Sequence, residues 1–150
     1  MKIRKAQITD AEKLSQIAFA AKSFWNYPKS WLNLWKEALT ITPNFIDNHE
    51  VYLAESDGKV SGFYALILDG EKVQLEHLWI SPENIGSGIG KKLMADAIEK
   101  AKSFGASSME IEAEPNALGF YQKQGAVKIG ESKSEIEGRT RILPLMRINL

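Results

Sequence analysis

Three glycines stand at alternate positions in the run Ile85-Gly86-Ser87-Gly88-Ile89-Gly90-Lys91-Lys92. Glycine lets a backbone approach an anion closely, and the unpaired N–H groups of a first helical turn, with the helix dipole, stabilise negative charge there. The run therefore reads as a phosphate-binding turn between a strand and a helix. Two nucleotide-binding patterns fit it poorly. A P-loop needs Gly-x-x-x-x-Gly-Lys-Ser/Thr, but Ile85 stands where the first glycine belongs and Lys92 where Ser or Thr belongs. A dinucleotide fingerprint needs Gly-x-Gly-x-x-Gly inside a parallel unit, whereas the spacing here is Gly-x-Gly-x-Gly after an apparent antiparallel meander. A second concentration of reactive surface is aromatic: Phe24, Trp25, Tyr27, Trp31 and Trp35. These rings suit either a helix pair packed on the domain or the wall of a substrate pocket.

Periodicity supplies the elements that must position these groups. Residues 3–6 read as a strand. Thr9 and Asp10 offer a cap before Ala11, Leu14, Ile17, Ala18 and Ala21, whose spacing is helical. Pro28 interrupts the aromatic region, which resumes as a helix from about residue 30 to 39. Residues 51–55, 60–68 and 73–80, separated by Ser56-Asp57-Gly58-Lys59 and Asp69-Gly70-Glu71-Lys72, form a meander of three strands. In the third, the apolar positions shift from Val73 and Leu75 to Leu78 and Ile80, a change of parity near Glu76 and His77. Such a slip predicts a β-bulge, a device that splays strands and re-aims side chains near active sites. Ile89, Leu93, Ala97, Ile98 and Ala101 mark a helix that Gly105 ends. A strand at 109–113, a short helix at 117–123 and strands at 127–129 and 141–150 complete the chain; Pro144 points to an edge or irregular position for the last. A meander followed by strand, helix and strand indicates a mixed sheet in an α+β domain.

Composition bounds the function. A chain of 150 residues suits one domain, burying about 68–70% of its unfolded surface. With 19 basic and 19 acidic residues the net charge is zero, which gives no electrostatic case for nucleic acid or an anionic membrane as the main partner. Absence of cysteine excludes disulfides, thiolate-ligated zinc, iron–sulfur clusters and a cysteine nucleophile. No apolar run reaches the ~18 residues of a membrane span, and the basic start lacks the apolar core of a signal peptide, so a cytoplasmic protein is expected.

Two segments together carry a family resemblance. Leu78-Trp-Ile-Ser-Pro-Glu-Asn-Ile-Gly-Ser-Gly-Ile-Gly-Lys-Lys-Leu-Met94 resembles the acyl-CoA signature of the GNAT superfamily of N-acetyltransferases, and Pro115-Asn-Ala-Leu-Gly-Phe-Tyr-Gln-Lys-Gln-Gly125 resembles its second signature. The resemblance implies a single N-acetyltransferase domain over residues 1–150. Its fold would be α+β, a mixed α/β sandwich whose central, mostly antiparallel sheet of six to seven strands is flanked by about four helices. It further implies acetyl-CoA as co-substrate and no metal. By position, the N–H groups of Gly86, Ser87, Gly88, Ile89, Gly90 and Lys91 would cradle the coenzyme A pyrophosphate. Leu78, Trp79 and Ile80 would run along the pantetheine arm, with the Leu78 N–H region available to the thioester oxygen. Asn116 would reach a pantetheine amide, Phe120 would border the cofactor and Tyr121 would protonate the departing thiolate. One departure stands out: Ile85 occupies a position where the family usually carries Gln or Arg against the pyrophosphate.

Acetyl transfer to an amine needs a neutral nucleophile. An alkyl amine of pKa near 10.4 is neutral in only about one molecule in 2,500 at pH 7, a penalty of roughly 4.6 kcal/mol for a base or a desolvating site to offset. Glu76 is the first choice of base, directly or through water, and His77 the second. His49 lies in a polar stretch and reads as solvated. Trp25, Tyr27 and Trp31 are the candidate acceptor residues. Without cysteine no acyl-cysteine forms, so the amine is expected to attack acetyl-CoA directly in a ternary complex. The acceptor class is a small-molecule or peptide amine, and a homodimer through the C-terminal strand is admissible. Two competing readings remain: a non-catalytic coenzyme A-binding regulatory or sensor module, favoured by Ile85 and disfavoured by Tyr121, and a nucleotide-binding protein, which the glycine spacing fits less well.

Overall fold

Seven strands and five α-helices organise residues 1–150 in the computed structural model of the protein. The first strand, β1 (Lys2–Lys5), leads into α1 (Ala11–Ser23). Asp10 does not cap α1 as the sequence suggests. Its carboxylate turns back, taking two hydrogen bonds from the Arg4 guanidinium, at 2.9 and 3.1 Å, and one from the Gln7 N–H at 2.8 Å. α1 buries Leu14, Ile17, Ala18 and Ala21 along one stripe, as their spacing requires. α2 (Lys29–Trp35) is shorter than expected, stopping before residue 39. α3 (Pro43–Asn48) was not legible as a helix: it is six residues long, opened by Pro43 and capped by the Thr42 hydroxyl, which accepts the Phe45 N–H at 3.0 Å.

β2 (Glu50–Ser56), β3 (Lys59–Asp69) and β4 (Lys72–Ile80) form the predicted meander. α4 (Ile89–Ser103) crosses over to β5 (Ser108–Glu112), and α5 (Leu118–Lys123) leads to the ribbon of β6 (Val127–Ile136) and β7 (Arg139–Asn149). The sheet order is β1-β2-β3-β4-β5-β7-β6, and every pairing is antiparallel except β4 with β5. β6 far outruns the 127–129 expected for it. Glu137 and Gly138, both at positive φ (50° and 76°), make the tight hairpin turn that extends the ribbon. β7 is not an edge strand: it lies between β5 and β6, and the edge belongs to β6. Pro144 is tolerated there because its carbonyl, which accepts the Ala113 N–H at 2.8 Å, faces β5 just where β5 ends. The N–H it lacks would have pointed past the end of that ladder.

Helices cover both faces of the sheet. On one, Leu93, Met94, Ala97 and Ala101 of α4 pack on Tyr64, Leu66, Met109, Ile111 and Met146. On the other, Leu14, Ile17 and Ala18 of α1 and Ile46 of α3 pack on Val51, Leu53, Phe63 and Ala65. Adjacent Phe63 and Tyr64 thus serve opposite cores, as strand alternation dictates. No helix is long and apolar enough to cross a membrane. Gly62 on β3 marks the tightest approach: a Cβ there would sit 2.8 Å from the Trp79 carbonyl oxygen, 2.9 Å from Ile80 Cδ1 and 3.1 Å from Leu93 Cδ1. Gly62→Ala is expected to cost about 1–3 kcal/mol through overpacking against backbone, and an unaltered thermal melt would refute this.

Candidate active site

The predicted bulge is present, and it opens the site. Ala65 pairs with His77 but Leu66 pairs with Leu75, which leaves Glu76 as the extra residue of β4. β4 and β5 pair only from Lys72 with Ser108 to Gln74 with Glu110, and beyond the bulge the two strands have parted. The Ser81 N–H donates to Ser61 O on β3, at 2.9 Å. Since successive residues of a strand face opposite sides, Leu78 and Ile80 turn their backbone groups toward the gap. Trp79 faces the other way in its backbone, and its indole Nε1 donates to His77 Nδ1 at 3.0 Å.

The glycine turn closes one end of the gap. Gly86 and Gly88 hold positive φ (84° and 86°), and open space surrounds the position a Cβ would take at either, so the turn leaves its backbone bare. The N–H groups of Gly86, Gly88, Ile89, Gly90 and Lys91 donate to no backbone acceptor, and they gather at the N-terminus of the 15-residue α4. Ser87 differs from its neighbours: its N–H is spent on Asn84 O at 3.2 Å, and its hydroxyl bonds the same oxygen at 2.5 Å. Phe120 packs over Gly90, its ring 3.4 Å from where a Cβ would stand. Ile85 and Lys91 also line the cavity, whose volume is about 670 Å³.

Tyr121 sits beneath this opening on α5, buried and edge-on to Phe120 with ring centroids 5.2 Å apart. Burial, with the Glu114 charge adding to it, raises its phenol above the ordinary value near 10 and keeps it protonated through the neutral range. Glu76 is exposed at the bulge and lines the cavity, as does exposed Glu112. His77 is unlike a poised base. Burial pushes its imidazole down to about 4, and it lies between the rings of Phe45 and Phe63, centroids 5.7 and 6.1 Å away. Neutral His77 accepts from Trp79 and orients that ring.

At the other end the cavity meets aromatic side chains. Trp25 and Trp35 line it; Tyr27 and Trp31 stand behind, Tyr27 stacked on Trp31 (6.0 Å) and edge-on to Trp35 (4.9 Å). These rings enclose a buried charge cluster that the sequence reading missed. The Glu114 carboxylate takes a salt bridge from Lys22, a hydrogen bond of 2.5 Å from the Tyr27 hydroxyl, one of 2.7 Å from Asn116 Nδ2 and a longer contact of 3.4 Å from Arg141. Lys22 Nζ lies 4.4 Å from the Trp35 ring centroid, and the Arg141 guanidinium 4.7 Å from it. Asn116 therefore spends its amide N–H groups within the cluster. One signal did exist: Lys22 continues the buried stripe of Ala18 and Ala21, a place where lysine needs a partner.

Comparison with known proteins defines the class. Residues 12–126 match the model of the Acetyltransferase (GNAT) family. The chain belongs to that family and shares its fold. It is 32% identical over 89 residues to the uncharacterized N-acetyltransferase YvbK of Bacillus subtilis (57% of each protein, so the match spans a little over half of that relative). It is 28% identical over 132 residues to the peptidyl-lysine N-acetyltransferase YjaB of Salmonella typhimurium, covering 77% of this chain and 86% of that one. A PaiA N-acetyltransferase from Thermoplasma acidophilum, solved in complex with coenzyme A, superposes with a TM-score of 0.80 at 21% identity, over 99% of this chain and 98% of that one.

Proposed function

We propose that this protein transfers the acetyl group of acetyl-CoA to a primary amine by direct attack within a ternary complex. The observation that carries the reading is the cavity itself: five unpaired N–H groups at one end, Glu76 at the bulge midway, and a buried neutral phenol, Tyr121, beneath. Acetyl-CoA supplies an acyl group activated as a thioester. Gly86, Gly88, Ile89, Gly90 and Lys91 offer its pyrophosphate their backbone N–H groups, with the α4 dipole behind them. Ser87 is less suited, its N–H being engaged, and Ile85 adds no polar contact. Leu78 and Ile80 offer backbone groups to the pantetheine, and the Leu78 N–H donates to the thioester oxygen. Trp79, whose indole turns to His77, shapes the cavity rather than bonding the cofactor. Asn116 keeps its amide oxygen for the pantetheine. Glu76 accepts the proton the attacking ammonium must lose, and Tyr121 Oη returns one to the departing thiolate. Trp25, Tyr27 and Trp31 belong to the acceptor end, Trp25 in contact with the cavity and the other two as its support.

Thiol release from acetyl-CoA across a panel of primary amines tests the reading. Intersecting double-reciprocal lines are expected; coenzyme A binding without thiol release from any amine would instead support the sensor module. Glu76→Gln is expected to move the rising limb of kcat/KM against pH upward, toward the amine's own pKa near 10.4, because the nucleophile must then lose its proton unaided. An unaltered profile would remove Glu76 from the role of base. Cytoplasmic location and homodimer formation belong to the same proposal. With β7 interior, the contact strand would be β6, where Val127 and Ile129 are exposed. Sedimentation velocity reads the association state.

A further inference from the structure

We propose that the acceptor carries, on the same molecule as its amine, an anionic oxygen group that seats against Arg141 beside the Trp35 ring. The inference rests on the cavity being the acceptor site of an acetyltransferase. Its basis is a mismatch of charge. Lys22 and Arg141 are two cations with side chains 11% exposed, and the single carboxylate within salt-bridge distance of either is Glu114. Glu114 is committed to Lys22, Tyr27 and Asn116 at short range, and its contact with Arg141 is the longest of the set.

Arg141 reaches Glu114 and Tyr27 only through Nη2, at 3.4 and 3.5 Å, while Nε and Nη1 make no hydrogen bond within the protein. Those donors belong to a residue that lines the cavity. A guanidinium always charged, half-partnered and walled by Trp35 and Tyr27 at 4.7 and 5.0 Å has Nε–H and Nη1–H donors left for carboxylate or phosphate oxygens. Neither Nε nor Nη1 is sealed from solvent, so an acceptor anion in the cavity can take the place of water at them. Glu76 and Glu112 line the same cavity from exposed positions, on the β4 bulge and at the end of β5, and neither pairs with Arg141. The cavity thus offers a carboxylate for the acceptor ammonium and a guanidinium for an anion on the same molecule.

Matched acceptors test this: L-amino acids against their α-amides, and O-phosphoethanolamine against ethanolamine, with kcat/KM measured for each in the wild type and in Arg141→Gln and Arg141→Lys. At least one anionic member is expected to exceed its neutral partner about tenfold or more, the first pair reporting carboxylate and the second phosphate. Arg141→Gln should collapse that ratio toward one, chiefly through KM, and Arg141→Lys should restore part of it. Neutral amines used as well as or better than both anionic classes would overturn the proposal, whether or not the variants fold. The same pairs are also compared by their effect on the melting temperature of the protein alone. Stabilisation by the anionic members with no thiol release from any amine would uphold the anion site and overturn acetyl transfer.

Discussion

Tyr121→Phe is expected to lower kcat at least about tenfold while acetyl-CoA still binds, because general acid assistance of this kind contributes roughly 10²–10⁴. The substitution is close to isosteric in a site where Tyr121 is 7% exposed, and its hydroxyl makes no hydrogen bond to the rest of the protein, so stability should change little. In the proposed mechanism, what is removed is the proton Tyr121 returns to the departing thiolate. Burial raises the phenol, so the group stays protonated across the neutral range and is always ready to donate. Ionisation of Tyr121 should therefore produce no falling limb in the kcat profile below about pH 10. Single-turnover acetylation with saturating acetyl-CoA measures the effect, and an unchanged rate would exclude Tyr121 from proton transfer.

Glu114→Gln should produce the largest loss of stability. Breaking a buried ion pair from one side costs about 3–5 kcal/mol, since the remaining charge has no partner. For a domain of this size the lower figure corresponds to a fall in Tm of roughly 6–12 °C. The pH dependence has a definite sign. Burial pushes the Glu114 carboxyl upward, but hydrogen bonds from Lys22 and Tyr27 outweigh it and hold the group below its ordinary value. Its contribution is therefore complete above the unfolded carboxyl pKa near 4.3 and is lost as pH falls through the lower folded value. For Lys22 burial wins over its partner and the ammonium is shifted down, so holding that charge costs some stability at neutral pH. Urea denaturation of wild type and variant between pH 3 and 8 would show the gap between them closing on acidification; a constant gap would mean Glu114 is not ionised in the fold.

What could be read in advance depended on the range of the interaction. The bulge at Glu76 was legible because one residue of parity moves every later side chain to the other face, which the series Val73, Leu75, Leu78, Ile80 records directly. The glycine turn was legible because positive φ at Gly86 and Gly88 is a local demand. β6 was not, since residues 130–135 are polar and mostly exposed and carry no apolar alternation. Pro144 misled for a related reason: a missing N–H matters only where a ladder partner waits for it, and that depends on where β5 stops. The Lys22, Glu114 and Arg141 cluster joins α1, the end of β5 and the start of β7, residues 92 and 27 apart in the chain. No local pattern encodes such a meeting.

The short parallel contact between β4 and β5 has a dynamic consequence. Three register pairs, Lys72 with Ser108 to Gln74 with Glu110, and the Ser107 N–H donating to Glu71 O at 2.6 Å just before them, join the sheet's N-terminal meander to its C-terminal ribbon. Each side is knit internally by long antiparallel ladders, so the sheet's hydrogen bonding forms two blocks joined by one narrow seam, with α4 packed across it on one face. A ligand lying between Leu78 and the parted end of β5 acts as a clasp across that seam. Its binding free energy is then also cohesion between the blocks, and amide hydrogens on both banks should exchange more slowly when it is in place.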